Sequence, residues 1–333
     1  MKSLPQREKK FAAAAILIGI ITALLIAEVG LRIAGLEYTA YPTRFQFGWP
    51  DSKTLDTDFV MDPVIQWKPK EYDQTLQEWH GKQIDIIHMG DSCTQLGKYS
   101  DELQRLMQER QPEKKFHNLK LGVAGWSSFQ GLQQMKRDIV TLKPRYATIY
   151  FGWNDHWLSY GIADKNMNFS QARFPLYRTL QHARVFQVFS FVYNQLLQKQ
   201  SAEQRPLRVS PEDYRNNLNA MVTLARENGI TPILITAPSS HRTGQEPVYL
   251  QDRFLNQLDK LVPLHRQYTD IVREVAHEQN VLLLDLQEEF DAMPYETVRD
   301  QYMKYDGIHL WPAGSTAIAE SLYQFINKNH LLD

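Results

Sequence analysis

Four short blocks of the sequence carry residue types suited to acyl chemistry: Gly90-Asp91-Ser92, residues 122–125, Gly152-Trp153-Asn154-Asp155 and Asp306-Gly307-Ile308-His309. Ser92 is the candidate nucleophile. A serine hydroxyl is scarcely ionised near neutral pH, so it needs a base, and histidine is the side chain that exchanges protons there. Of the ten histidines, His309 alone follows a carboxylate across a glycine-containing turn. The three-residue offset lets Asp306 reach the imidazole nitrogen facing away from a substrate, which would fix the tautomer and stabilise the imidazolium. Acyl transfer also needs donors aimed at a developing oxyanion. The Asn154 amide can supply one. The Gly125 N–H, with no side chain to block approach, and the Ser92 N–H can supply two more.

Each block has a plainer use when taken alone. Gly-Asp-Ser is a good turn sequence, Asn154-Asp155 can form an Asx-turn, and His309 can cap the helix that starts after Trp311-Pro312. Asp91, Asp155 and His156 are candidates for lining a pocket or for closing its loops. Cys93, next to Ser92, suits a small buried residue, and His88 suits strand packing. Asp285 ends an apolar run and could serve a turn or a pocket floor. The histidines show no metal-ligand spacing, and no phosphate loop or G-x-G-x-x-G stands where a nucleotide site needs one. No metal and no nucleotide cofactor is therefore expected.

The blocks need elements to position them. Short apolar runs at 84–89, 116–121, 146–151, 232–236 and 281–286 read as strands. Helices are expected near 99–110, 129–142, 263–279 and 312–327. Another is expected to start at Ser210, with Pro211 at its first position and acids in its first turn, and to end at Asn228-Gly229. Strands alternating with helices imply a mainly parallel sheet covered on both faces, with its site at the carboxyl ends of the strands. The first three candidate blocks fall at those ends. Two insertions, at about 156–210 and 238–262, interrupt the alternation. The first holds an apolar helical stretch at 176–197, either a hairpin covering the core or a lid or membrane-facing patch.

The N-terminal segment is of another kind. Lys2, Arg7, Lys9 and Lys10 precede an uncharged apolar run at 11–27, which continues through Val29, Leu31, Ile33 and Leu36. This predicts a transmembrane anchor over 11–36, a cytoplasmic basic tail at 1–10, and the remainder in the periplasm or outside the cell. A cleaved signal peptide is the rival, but 24–28 lacks the small-x-small pattern of a cleavage site. Residues 37–80 are rich in aromatics and broken by Pro42, Pro50, Pro63 and Pro69, as for an extension packed on the domain. The remaining 81–333 would form one catalytic domain. With 37 Lys+Arg against 38 Asp+Glu, the chain has no basic excess for nucleic acid. A single cysteine excludes an intramolecular disulfide.

Taken in order, Gly90-Asp91-Ser92, Gly125, Gly152-x-Asn154-Asp155 and Asp306-x-x-His309 resemble the SGNH hydrolase family of GDSL-like lipases and acylhydrolases. The resemblance covers about 83–328. One position departs from it: Lys120 stands where the family's second block often has asparagine. The resemblance implies a flavodoxin-like three-layer α/β/α sandwich. It also implies a serine esterase with Ser92, His309 and Asp306 as its triad, and Ser92, Gly125 and Asn154 as its oxyanion hole. The expected substrate is an acyl ester of a carbohydrate or lipid, cleaved or transferred. Trp49, Trp67, Trp79, Trp126, Trp153 and Trp157 are candidate faces for sugars, though buried packing is the commoner use. The rival reading is a catalytically silent binding or assembly component of a cell-envelope polysaccharide system on the same scaffold.

Overall fold

The computed structural model describes residues 6–36, 57–159, 163–167, 174–180, 182–197, 205–251 and 255–332. The tail before residue 6 and the aromatics Tyr38, Tyr41, Phe45, Phe47 and Trp49 lie outside them. So do parts of both insertions.

Five strands form one parallel sheet: β3 (Ile86–Gly90), β4 (Asn118–Lys120), β5 (Tyr146–Tyr150), β6 (Thr231–Ile235) and β7 (Leu282–Leu284), in the order β4-β3-β5-β6-β7. This is a doubly wound, flavodoxin-like order whose switch point lies between β3 and β5. Side-chain alternation divides the strands between two cores. Ile87, Met89, Ala147, Ile149 and Leu234 face one core. Ile86, Tyr150, Ile233, Ile235 and Leu284 face the other. Helices α4 (Tyr99–Arg110) and α11 (Pro312–Lys328) cover the second face and pack on each other. The first face is covered by α5 (Ser128–Gln134), α8 (Pro211–Glu227) and α9 (Leu261–Glu278).

Local chemistry sets the boundaries. Ser210 Oγ accepts the Asp213 N–H and caps α8, with Pro211 at the first turn. Ser127 and Gln130 make a reciprocal capping box on α5, which continues through a π-helical turn at Met135–Ile139 to Leu142. Two strands are much shorter than expected. β4 keeps only Asn118–Lys120, although the His117 carbonyl and the Leu121 N–H still bond β3 on either side of it, and Phe116 and Leu121 are buried. β7 stops at Leu284 because Asp285 turns the chain, accepts the Glu288 N–H and pairs with Arg273, starting α10 (Leu286–Asp291). Asp285 thus serves a turn.

Before the sheet, β1 (Phe59–Asp62) and β2 (Gln66–Pro69) form an antiparallel hairpin, and α2 (Tyr72–Trp79) follows. Phe59, Trp67 and Tyr72 join the first core, so the described part of the aromatic extension packs on the domain. α3 (Ser92–Gln95) opens directly after β3. The apolar stretch at 176–197 is two helices, α6 (Phe174–Leu180) and α7 (Arg184–Leu197). Helix α1 (Gln6–Ile33) contains a 24-residue apolar span, Lys10–Ile33, none of it buried. By length and composition it can cross a membrane.

Candidate active site

The carboxyl end of β3 turns sharply at Gly90. A Cβ there would lie 2.1 Å from Thr94 Oγ1 and 2.8 Å from the Tyr150 carbonyl oxygen, so only glycine fits. Asp91 then accepts the Cys93 N–H at 2.8 Å and caps α3, which leaves Ser92 at the mouth of the turn. From the far end of the chain, the loop before α11 brings in the other polar groups. His309 Nε2 lies 2.8 Å from Ser92 Oγ, and His309 Nδ1 lies 2.7 Å from Asp306 Oδ2. Asp306 Oδ1 accepts the N–H groups of Ile308 and His309, each at 2.9 Å. Asp306 has only acceptors to offer, so the network assigns the ring proton to Nδ1 and leaves Nε2 to accept from Ser92. Burial opposes the Asp306 charge. The bonds from the His309 ring and from both N–H groups outweigh it and hold the carboxyl below its ordinary range. His309 does not cap α11, whose N-cap, Trp311, makes no side-chain cap bond.

The second block forms the facing wall. Three successive carbonyls are tied back from behind. Ala124 O accepts Trp67 Nε1 (3.1 Å), Gly125 O accepts Arg208 Nη1 (2.8 Å), and Trp126 O accepts Asn154 Nδ2 (3.0 Å). The Ala124 N–H donates to Gln95. Gly125 has φ +80°, and its N–H, like that of Ser92, has no partner among the described residues. Asn154 Nδ2 also reaches Asp91 Oδ2 at 3.3 Å. Ser92, Gly125, Asn154, Asp306 and His309 all line one cleft of about 490 Å³. Hydroxyl, ring and carboxylate form a relay toward the cleft, with backbone donors opposite. This arrangement can deprotonate a serine as it attacks a carbonyl and stabilise the resulting oxyanion.

Asp91, Asp155 and His156 do not line the cleft; all three are fully buried behind it. Burial pushes Asp91 up to about 6, against the pull of the Cys93 N–H and of His309. Asp155 accepts the Ser128 N–H at 2.9 Å, its other oxygen has no hydrogen-bond partner among the described residues, and burial pushes it up to about 7. His156 Nε2 lies 3.1 Å from His265 Nδ1, and His265 Nε2 donates to Ala237 O at 2.8 Å. Burial holds both rings neutral: His265 falls to about 3 and His156 is well below its usual value. Cys93 is buried against the Ile308 carbonyl, and His88 bonds Thr148 inside the sheet. Lys120 lies 3.3 Å from the Gly97 carbonyl, away from the cleft.

Sequence reasoning missed the cleft's exposed aromatics. Trp67, Trp126, Trp153 and Trp157 are buried, because their indoles fill cores and stack on one another and on His265. Tyr305, 90% exposed, and Tyr249, 50% exposed, form the aromatic rim instead. It also missed Arg208 and Asp164, a fully buried ion pair at 2.7 Å formed by the two stems of the first insertion. No spacing marks either residue. Among the described residues, no group of three or more His, Cys, Asp or Glu side chains is gathered to hold a metal ion.

No curated protein sequence matches the chain. Among solved structures it is similar to a lipase/acylhydrolase from Enterococcus faecalis, with 17% identity, TM-score 0.48, and coverage of 74% of this chain and 97% of that one. It is also similar to an acetylxylan esterase from Geobacillus stearothermophilus, with 18% identity, TM-score 0.47, and coverage of 74% and 96%. A GDSL-like lipase from Bacteroides thetaiotaomicron gives 15% identity, TM-score 0.47, and coverage of 78% and 98%. A family model described as GDSL-like lipase/acylhydrolase matches residues 88–317, well over half of the sequence and all four blocks. The chain belongs to the GDSL-like lipase/acylhydrolase family.

Proposed function

We propose that the protein is a membrane-anchored serine esterase that cleaves carboxylic esters, or transfers their acyl groups, through Ser92. The observation that carries this reading is the continuous relay from Ser92 Oγ to His309 to Asp306, at 2.8 and 2.7 Å, inside an open cleft. His309 takes the Ser92 proton as the hydroxyl attacks the ester carbonyl, and Asp306 stabilises the imidazolium. The N–H groups of Ser92 and Gly125 receive the oxyanion, and the Asn154 amide joins them by giving up its longer bond to Asp91 while it keeps the one to the Trp126 carbonyl. His309 then protonates the leaving alkoxide, and water or a sugar hydroxyl resolves the acyl-enzyme. The cleft is walled by the buried Trp153, Trp157 and Leu250 and rimmed by the exposed Tyr249 and Tyr305. The exposed Tyr305 ring at the rim suits a sugar, which supports an O-acyl, such as O-acetyl, carbohydrate ester as substrate. Helix α1 anchors the domain, and the basic residues before it favour a cytoplasmic N-terminus with the catalytic domain in the periplasm or outside.

The test is labelling by a fluorophosphonate probe together with hydrolysis of p-nitrophenyl acetate and of acetylated oligosaccharide. Both labelling and hydrolysis should be present in the wild type and lost in Ser92→Ala, with the thermal transition unchanged. A folded wild type that neither labels nor hydrolyses would favour a silent binding component.

A further inference from the structure

We infer that the consecutive helices α6 and α7 are a lipid-docking surface that lays the catalytic domain on the membrane beside α1. The inference rests on the reading of α1 as a membrane anchor. The contact between them is specific. Glu28 Oε2 accepts the Val185 N–H at 2.9 Å, in the first turn of α7, where backbone donors lack helical partners. Arg32 pairs with Glu28 at 2.7 Å and donates to the His182 carbonyl at 3.1 Å, just before α7 begins. The last turns of α1 therefore hold the junction between α6 and α7.

Depth follows from helix geometry. From Lys10 to Glu28 the helix rises ~27 Å, close to the thickness of the hydrocarbon layer. With Lys10 at one boundary, Glu28 and Arg32 stand at the other, and the α6–α7 junction stands with them. The chemistry of the two helices suits that level. Leu176, Leu180, Phe189 and Val192 are exposed on its two helices, and Phe189 is 66% exposed. No charged residue follows Arg184 within α7. Between 168 and 199 the chain has Arg173, Arg178, Arg184 and Lys199 and no acidic residue. Apolar and aromatic side chains with a basic flank are what an interfacial segment presents to acyl chains and anionic headgroups. A protein partner would leave the contact with α1 and the one-signed charge without a shared cause.

The buried Cys93 permits a direct test in the full chain, because an introduced surface cysteine is then the one reactive thiol. Phe189→Cys and Leu17→Cys are each labelled with an environment-sensitive fluorophore. Each is reconstituted in phosphatidylcholine–phosphatidylglycerol vesicles, with and without a nitroxide-bearing lipid as quencher. Both labels should emit at blue-shifted wavelengths and lose most of their fluorescence to the quencher, and esterase activity should match the wild type. Quenching at position 17 without quenching at 189 overturns the docking surface and leaves the anchor standing. A blue-shifted but unquenched label at 189 means that protein covers the face, and also overturns it. An unquenched label at 17 overturns the anchor, and the docking surface falls with it.

Discussion

Arg208 shows how much of an oxyanion site is built by residues that never meet the substrate. Its guanidinium is fully buried, pairs with Asp164 at 2.7 Å and holds the Gly125 carbonyl at 2.8 Å. That last bond fixes the plane of the peptide that follows Gly125. Trp67 holds the Ala124 carbonyl on the preceding peptide, which carries the Gly125 N–H, and Asn154 holds the Trp126 carbonyl, so the three bonds together fix the loop around an N–H that has no partner among the described residues. Deleting the charge would strand Asp164 in the interior at about 3–5 kcal/mol, so simple truncation tests folding more than catalysis. Arg208→Lys keeps the charge, but a single ammonium cannot hold both the carboxylate and the carbonyl with a planar fork. This variant should lower kcat by roughly 10- to 100-fold, the scale of a small misplacement of catalytic groups, and leave KM nearly unchanged. Rates are normalised to sites counted by complete fluorophosphonate titration. A wild-type kcat per titrated site would mean that the loop holds itself.

Among the elements, the sheet and its carboxyl edge were legible because burial on both faces writes strands as short apolar runs. The glycines at 90 and 152 marked where those runs turn into loops, so Ser92 and Asn154 could be found as residues just past a strand. Asp306 and His309 were legible for another reason: their bond is local, three residues across one turn. The rest depends on contacts that no local pattern records. Gln66, Gln130, Asp164 and Arg208 meet in one buried polar network drawn from four separate segments. The sequence left the tryptophans open between sugar faces and the commoner buried packing, because burial of an aromatic is decided by what packs on it. At the β3–α3 turn the element itself makes a prediction. In Gly90→Ala, the new methyl would meet both the Thr94 hydroxyl, bonded to Tyr99 at 2.9 Å, and the backbone of the paired strand β5. Overpacking of that kind costs about 1–3 kcal/mol and displaces Ser92. The denaturation midpoint should fall and ester hydrolysis with it. An unchanged midpoint would show that the turn has room.

At the scale of the whole molecule, the near-zero net charge conceals an interior of titratable groups whose pH effects oppose one another. His88 and His265 are driven to about 3 by burial, so the native state excludes protons that the unfolded chain binds below about pH 6.5. Their contribution therefore strengthens as pH rises from about 3 to 6.5. Asp91 and Asp155 act with the opposite sign. Burial raises them to about 6 and about 7, so their native forms retain protons that the unfolded chain has released. Their contribution is largest below about pH 4 and is lost as pH climbs through those values. Asp155 isolates the second effect, because it ties the loop after β5 to α5 through one oxygen while the other has no partner among the described residues. Asp155→Asn keeps the acceptor for the Ser128 N–H and cannot ionise. Any cost of its new amide hydrogens is the same at every pH. The stability of this variant relative to wild type should therefore improve with pH, by on the order of 2 kcal/mol between pH 5 and pH 8 at ~1.4 kcal/mol per pKa unit. Chemical denaturation of both proteins at the two pH values measures the difference directly. A difference that does not change with pH would mean that Asp155 is already ionised at pH 5, with water or a cation reaching its second oxygen.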